Sequence, residues 1–228
     1  RAIGRVRRYI REHRIEAIVS FHFVADFICG LAATDLGVPV ISSRRDMGFT
    51  RTGRQKQAGR LLRGRFARWI AVSDAVRQAI HRDEAIPLDR IEVVYNGIDI
   101  DALDAHGCCR EAERARHQIG DDELVVGCVA NFNAVKRHVT LIEAVDRLRR
   151  SYPQLKLRLV LTGDGPERPN IEQRIRELNL GDTVILAGRS EQPTGALLAA
   201  DIFVLPSESE GFSNAIVQAM ACRRPVVA

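Results

Sequence analysis

LPSESEGFSNAIVQAMACRRPVVA, Leu205 to Ala228, is the stretch on which the reading of this chain turns. The apolar run Asp201–Leu205 stops at Pro206-Ser207, as a buried strand does at its carboxyl end. An acidic loop follows, Glu208-Ser209-Glu210-Gly211-Phe212, and Ser213 is a good N-cap for a helix through Ile216, Val217, Met220 and Ala221. A second apolar strand runs from Pro225 to Val227. Strand, loop, helix and strand in that order make one unit of a parallel sheet. Ligands of such sheets bind beyond the carboxyl ends of the strands, where helix amides point at them. Glu210 is therefore expected in that crevice, with the amides after Ser213 facing an anion.

The same alternation extends upstream. Arg1–His13 reads as an amphipathic helix, Glu16–Phe21 as a strand, Ala25–Leu36 as a helix and Gly37–Ser42 as a strand. Strand Arg68–Val72, a helix from Asp74 capped by Ser73, and the short strand Ile91–Tyr95 follow. The pattern lapses between Asp99 and Asp122, apart from a short helical reading near Arg110–Gln118, and then restarts at Leu124–Ala130. Helix His138–Arg150, strand Lys156–Thr162, helix Pro169–Leu178, strand Thr183–Ala187 and helix Thr194–Ala199 complete it. Near-continuous apolar strands alternating with helices predict an α/β fold with parallel sheets covered on both faces. The restart predicts two Rossmann-like domains, residues 1–106 and 107–228.

At these residues the chain resembles retaining glycosyltransferases of the GT-B fold, family 4 (glycosyl transferases group 1). The family's donor signature is E-G-F, a second glutamate eight positions after the first, an A-M-A helix and P-V-V-A. Here the first glutamate is Glu210, and the eighth position holds Gln218. Ile70–Arg77 with Ile91–Asp99, Val126–Phe132 with Lys136 and Leu141–Ala144, and Leu161–Pro166 resemble further family segments in the family's order. The resemblance implies two domains facing a cleft, both incomplete here, in a fragment cut at both ends. It implies transfer of a sugar from a UDP-, GDP- or ADP-sugar donor to a saccharide or lipid-linked acceptor, in polysaccharide, lipopolysaccharide or glycolipid synthesis. The donor is a substrate, so no cofactor is implied. No metal is implied either, and the resemblance implies a front-face mechanism in which the leaving diphosphate helps deprotonate the acceptor.

Residue by residue, the resemblance makes Lys136 the lysine on the diphosphate. Asn131 stands where an arginine is usual, which leaves one cation missing unless Arg137 or a residue outside the fragment serves. Gly188 and Arg189 fall where relatives hold the base. Glu210 is placed on the donor sugar's hydroxyls or the charge developing at its anomeric carbon; Gly211, Phe212, Ser213 and Asn214 line the sugar and diphosphate. Gln218 replaces the glutamate that holds the ribose, and an amide accepts weaker bonds there than a carboxylate. In the first domain Arg45 takes the place of a histidine. It is able to clamp a leaving phosphate but not to act as a base, because it stays protonated. His22 is a weaker stand-in for that histidine. These three departures keep open a second reading, a non-catalytic relative that binds nucleotide-sugar and partners an active enzyme.

Composition limits the other classes. The 228 residues are 46% hydrophobic and 28% charged, an ordinary globular balance, with no apolar run of membrane-spanning length. Five cysteines without C-x-x-C spacing, among them Cys108-Cys109, suggest neither a disulfide framework nor a zinc site and fit a reducing cytosol. Aromatics are 5% and no nucleic-acid module is visible, so nucleic acid is not an expected partner. Arg44 to Arg68, however, holds nine basic residues and one acid, Asp46, among few apolar residues (Met47, Phe49, Leu61, Leu62, Phe66). A helix over residues 56–68 would gather Leu61, Leu62 and Phe66 between arginines, the pattern of a helix on an anionic membrane face; the bland alternative is a solvated loop and helix. The expected location is cytoplasmic, peripheral on the inner face of the membrane.

Overall fold

A computed structural model of the chain describes residues 1–48, 51–101, 109–190 and 194–228. The boundary expected at 106/107, Cys108 and Phe49 lie outside the described residues. Two compact units emerge: Arg1–Gly97 with Glu210–Phe212, and Ile98–Ser209 with Ser213–Ala228.

The first unit contains helix α1 (Ala2–Glu12), strand β1 (Ile18–Phe21), α2 (Phe23–Ala32), β2 (Val40–Arg44), α3 (Gly53–Leu62), β3 (Arg68–Ala71), α4 (Asp74–Glu84) and β4 (Ile91–Val93). The strands pair in parallel in the order β1-β2-β3-β4. Val40, Trp69, Ala71, Val76, Ile80 and Ile91 form its core. Ser73 caps α4, its Oγ accepting the Val76 amide at 3.3 Å.

The helix expected over 56–68 is corrected. It begins earlier, at a Thr52–Gln55 capping box, and gives way at Arg63 to a single 3-10 turn, Arg63–Arg65. Leu62 and Phe66 turn inward and are 9% and 4% exposed, whereas Leu61 is 80% exposed. Core burial of those two side chains outweighs the amphipathic membrane face that their spacing suggested.

The second unit contains α5 (Arg110–Arg116), β5 (Leu124–Val129), α6 (His138–Ser151), β6 (Leu157–Thr162), α7 (Arg168–Glu177), β7 (Val184–Gly188), α8 (Thr194–Ala199), β8 (Ile202–Val204), α9 (Asn214–Ala221) and β9 (Val226–Val227). Its parallel sheet has the order β7-β6-β5-β8-β9. Period-two alternation covers both faces: Val126, Cys128, Leu159 and Leu161 join one cluster, while Val125 and Val160 join another with Ile119 and Ala200. The chain leaves β5 toward β6 on one side and returns to pair β8 on the other. The switch point of this sheet therefore lies between the carboxyl ends of β5 and β8.

Candidate functional site

The loop after β5 carries Asn131 and Lys136, and the loop after β8 leads to Ser213, so two predicted donor segments meet at that switch point. Asn131 is exposed, two residues beyond the strand, and its neighbour Phe132 is fully buried as an anchor. Lys136 lies just ahead of the helix, which starts at His138 as the sequence suggested. This lysine closes a 3-10 turn, Ala134–Lys136, and Arg137 follows in a left-handed conformation (φ 52°) before α6. Arg137, the substitute considered for the missing cation, is engaged: its Nε and Nη2 donate to Glu208 Oε2 at 3.1 and 2.7 Å. The Glu208 amide also donates to the Val135 carbonyl at 2.9 Å, which ties the two loops together by backbone as well as charge.

Ser213 caps α9 as expected, its Oγ accepting the Ile216 amide. Asn214 is exposed and Gln218 half-buried on the same helix. Gly188 ends β7 at φ 74°, a conformation that suits glycine, and its carbonyl accepts the Gly163 amide at 2.9 Å. Arg189 is exposed and lines a cavity of about 180 Å³ with Glu113, Arg116, His117, Thr162 and Ser190. The Thr162 hydroxyl in that wall is buried and makes no hydrogen bond.

The remaining candidates belong to the first unit. Arg45 follows the last residue of β2 and is exposed; its Nη2 donates to Asn96 Oδ1 at 3.0 Å, and its guanidinium lies 5.9 Å from the Phe21 ring centre. Glu210, Gly211 and Phe212 are half-buried and group with that unit rather than with the helix they precede. His22, at φ 70°, precedes α2.

Two features escaped the sequence reading. One is a buried charge network beneath the carboxyl end of β2. Arg44, 2% exposed, places Nη1 at 2.9 Å from Asp26 and Nη2 at 2.9 Å from Glu84; both acids are also 2% exposed. Ser20 and Ser42 donate to Asp26 at 2.5 and 2.9 Å, and Arg51 donates to Glu84 at 2.6 Å. Glu84 thus holds both ends of the Arg44–Arg51 segment that carries Arg45. A lone acid in the apolar helix around Asp26 was the available signal. The other feature is His138, 3% exposed, with its ring edge-on to Phe132 and neither ring nitrogen hydrogen-bonded.

Burial, reinforced by the nearby Lys136 charge, pushes the His138 pKa down from 6.5 to about 4. Because the folded value is depressed, its stabilising contribution is complete above pH 6.5. It is lost as pH falls from there through about 4. His138→Phe is expected to remove that part of the acid sensitivity, up to about 3 kcal/mol by the size of the shift. Denaturant melts of both proteins at pH 7 and pH 4.5 test it, and parallel acid profiles would rule it out.

Among the described residues no group of three or more His, Cys, Asp or Glu could hold a metal ion, and no helix is long and apolar enough to cross a membrane.

Residues 109–228 match the family described as Glycosyl transferases group 1, and residues 1–102 match Glycosyltransferase Family 4. The chain is 29% identical over 138 residues to N-acetylgalactosamine-N,N'-diacetylbacillosaminyl-diphospho-undecaprenol 4-alpha-N-acetylgalactosaminyltransferase of Campylobacter jejuni. That match covers 60% of this chain and 34% of the relative. It is 26% identical over 243 residues to D-inositol 3-phosphate glycosyltransferase of Paenarthrobacter aurescens, covering 99% of this chain and 59% of the relative. The crystal structure of Anabaena HepE in complex with UDP-glucose superposes with a TM-score of 0.88 at 23% identity, over 99% of this chain and 62% of that one. The chain thus spans less than two thirds of the length of each.

Proposed function

Given that the chain belongs to the glycosyl transferases group 1 family, of GT-B fold, we propose that it transfers a sugar from a nucleotide-sugar to an acceptor hydroxyl with retention of configuration. The acceptor is a saccharide or lipid-linked saccharide of an envelope polysaccharide, lipopolysaccharide or glycolipid, and the setting is the cytoplasm at the inner face of the membrane. Residues 107–228 are the donor side and residues 1–106 the acceptor side. The observation that carries the reading is the convergence of the Asn131–Arg137 loop and the Ser213-capped helix on one switch point, where a helix amino end favours an anion.

In this reading Lys136 neutralises the diphosphate, and Asn131 hydrogen-bonds it without charge. Gly188 and Arg189 hold the base, with Thr162 in the wall beside them. Gly211, Phe212, Ser213 and Asn214 line the sugar and diphosphate, Glu210 meets the sugar, and Gln218 takes the ribose. Arg45 stabilises the leaving phosphate by charge. The alternative, a nucleotide-sugar-binding partner without activity, is favoured by Asn131, Gln218 and Arg45, each standing where relatives carry another residue. A screen of labelled UDP-, GDP- and ADP-sugars against the full-length protein tests the proposal. Turnover of one donor supports it. Donor binding without hydrolysis or transfer supports the alternative, and no binding at all overturns both.

Two substitutions probe the roles. Glu210→Gln is expected to lower kcat at least about tenfold, since losing a transition-state interaction of about 1.4 kcal/mol already does so. Unchanged turnover would remove Glu210 from the site. Gln218→Glu is expected to lower the donor KM more than it changes kcat, because ribose contacts are common to ground and transition states. A KM that stays the same or rises means that residue 218 does not face the ribose.

A further inference from the structure

Glu113, half-buried on α5, is held only loosely by charge: its pair with the exposed Arg116 spans 3.9 Å. Its carboxyl group lies instead against the backbone of α8. A Cβ built on Gly195 would stand 2.5 Å from the Glu113 carboxyl carbon and 2.6 Å from Oε1. A side chain at 195 would therefore push the carboxylate away, and the chain keeps glycine there although glycine is a poor residue for a helix. Glu113 lines the cavity of about 180 Å³ beside Arg189, and Thr162 is in the same wall. Thr162 is 3% exposed, and its hydroxyl makes no hydrogen bond within the protein. A buried hydroxyl of that kind is costly unless something outside the chain completes it. His117, also on the cavity, is neutral at pH 7, because burial, reinforced by Arg116, holds its pKa below 6.5 against the pull of Glu113. It does not compete for the carboxylate as a cation would. The cavity thus offers a carboxylate that accepts, a hydroxyl able to donate or accept, and a guanidinium that donates.

We infer, on the nucleotide-sugar reading above, that this cavity takes the base of the donor, that the base is guanine, and that Glu113 selects it. A carboxylate accepts and never donates, so it favours a base edge with adjacent N–H groups. Guanine has such an edge, N1–H beside the 2-amino group, and two parallel charge-assisted bonds fit it to one carboxylate. Uracil offers a single N3–H between two carbonyl oxygens, which a carboxylate repels. Adenine offers its 6-amino group beside the N1 lone pair, with a similar penalty. On guanine's other edge O6 and N7 are both acceptors, the pair that an arginine matches in bidentate fashion. Arg189, just beyond β7, supplies that guanidinium. Glu113 stands on a helix ahead of β5, far along the chain from the contiguous donor signature, and only the fold brings it to the carboxyl ends of β6 and β7.

The test is isothermal titration of the full-length protein with GDP, UDP, ADP and xanthosine diphosphate, whose base carries a carbonyl where guanine has the 2-amino group. GDP is expected to bind at least about tenfold more tightly than UDP or ADP, the discrimination of one good bidentate pair. Glu113→Gln is expected to lose about tenfold or more for GDP and to prefer xanthosine diphosphate, because an amide sets one acceptor beside one donor. A melting curve checks that the variant is folded. Should it not fold, inosine diphosphate on the wild type, lacking the 2-amino group, is expected to bind about tenfold less tightly than GDP. Four outcomes overturn the inference and leave sugar transfer from another nucleotide standing. They are a wild type that prefers UDP or ADP, a folded variant that still prefers GDP to xanthosine diphosphate, a variant weakened alike for all four ligands, and equal binding of GDP and inosine diphosphate. Binding of none of the diphosphates overturns the nucleotide-sugar reading as well.

Discussion

Arg44→Met is expected to destabilise the protein by about 3–5 kcal/mol, as breaking a buried pair from one side does. The methionine fills most of the space but leaves Asp26 facing only the Ser20 and Ser42 hydroxyls, while Glu84 keeps Arg51. The pH dependence separates this from a packing defect. Burial pushes the Asp26 carboxyl above its usual 3.8, against the pull of Arg44, Ser20, Ser42 and Arg51. A raised folded value means that this carboxyl's contribution is complete below pH 3.8 and is lost as pH rises through the folded value. Removing Arg44 raises that value further, so the deficit is expected to be larger at pH 7 than at pH 4. Asp26→Asn in the same background is expected to recover part of the loss at pH 7. Urea melts at the two pH values decide it. A deficit under about 1 kcal/mol, or one independent of pH, means that the network carries no such weight.

Gly163→Ala is expected to cost about 3 kcal/mol or more and to weaken nucleotide binding. A Cβ at this position would stand 2.0 Å from the Ala130 carbonyl oxygen and 3.2 Å from the Phe132 ring. The backbone has no room to yield, because the Gly163 amide donates to Gly188 O at 2.9 Å and the Ala130 amide to Thr162 O at 3.1 Å. Relief requires moving the loop that carries Asn131 and Lys136, so the overpacking cost reaches the proposed donor site. Gly181→Ala, where an added Cβ meets nothing within 4 Å, serves as the control and is expected to stay within about 0.5 kcal/mol. Equal melting temperatures for the two variants would show that the β5 loop gives way freely.

The sequence by itself determined the α/β class, the order of the parallel strands along the chain, the Ser73 and Ser213 caps and the family. These rest on local rules: apolar runs of strand length, capping hydroxyls and a motif whose residues are contiguous. It also placed the donor candidates at loops that follow strands, because a strand's carboxyl end is legible from where its apolar run stops. Only the tertiary structure decided how charges and faces are assigned. Spacing around Leu61, Leu62 and Phe66 could not tell a core contact from a lipid contact, since both want the same apolar side chains, and the fold took two of the three. Nine basic residues in sequence looked alike until Asp26 and Glu84, on separate helices and 18 and 40 positions from Arg44, claimed some of them. Likewise Arg137 meets Glu208, 71 positions away, in an ion pair that no local pattern announces. Ion pairs between distant segments leave no local trace, because electrostatic partners are chosen by proximity in space after the chain has folded.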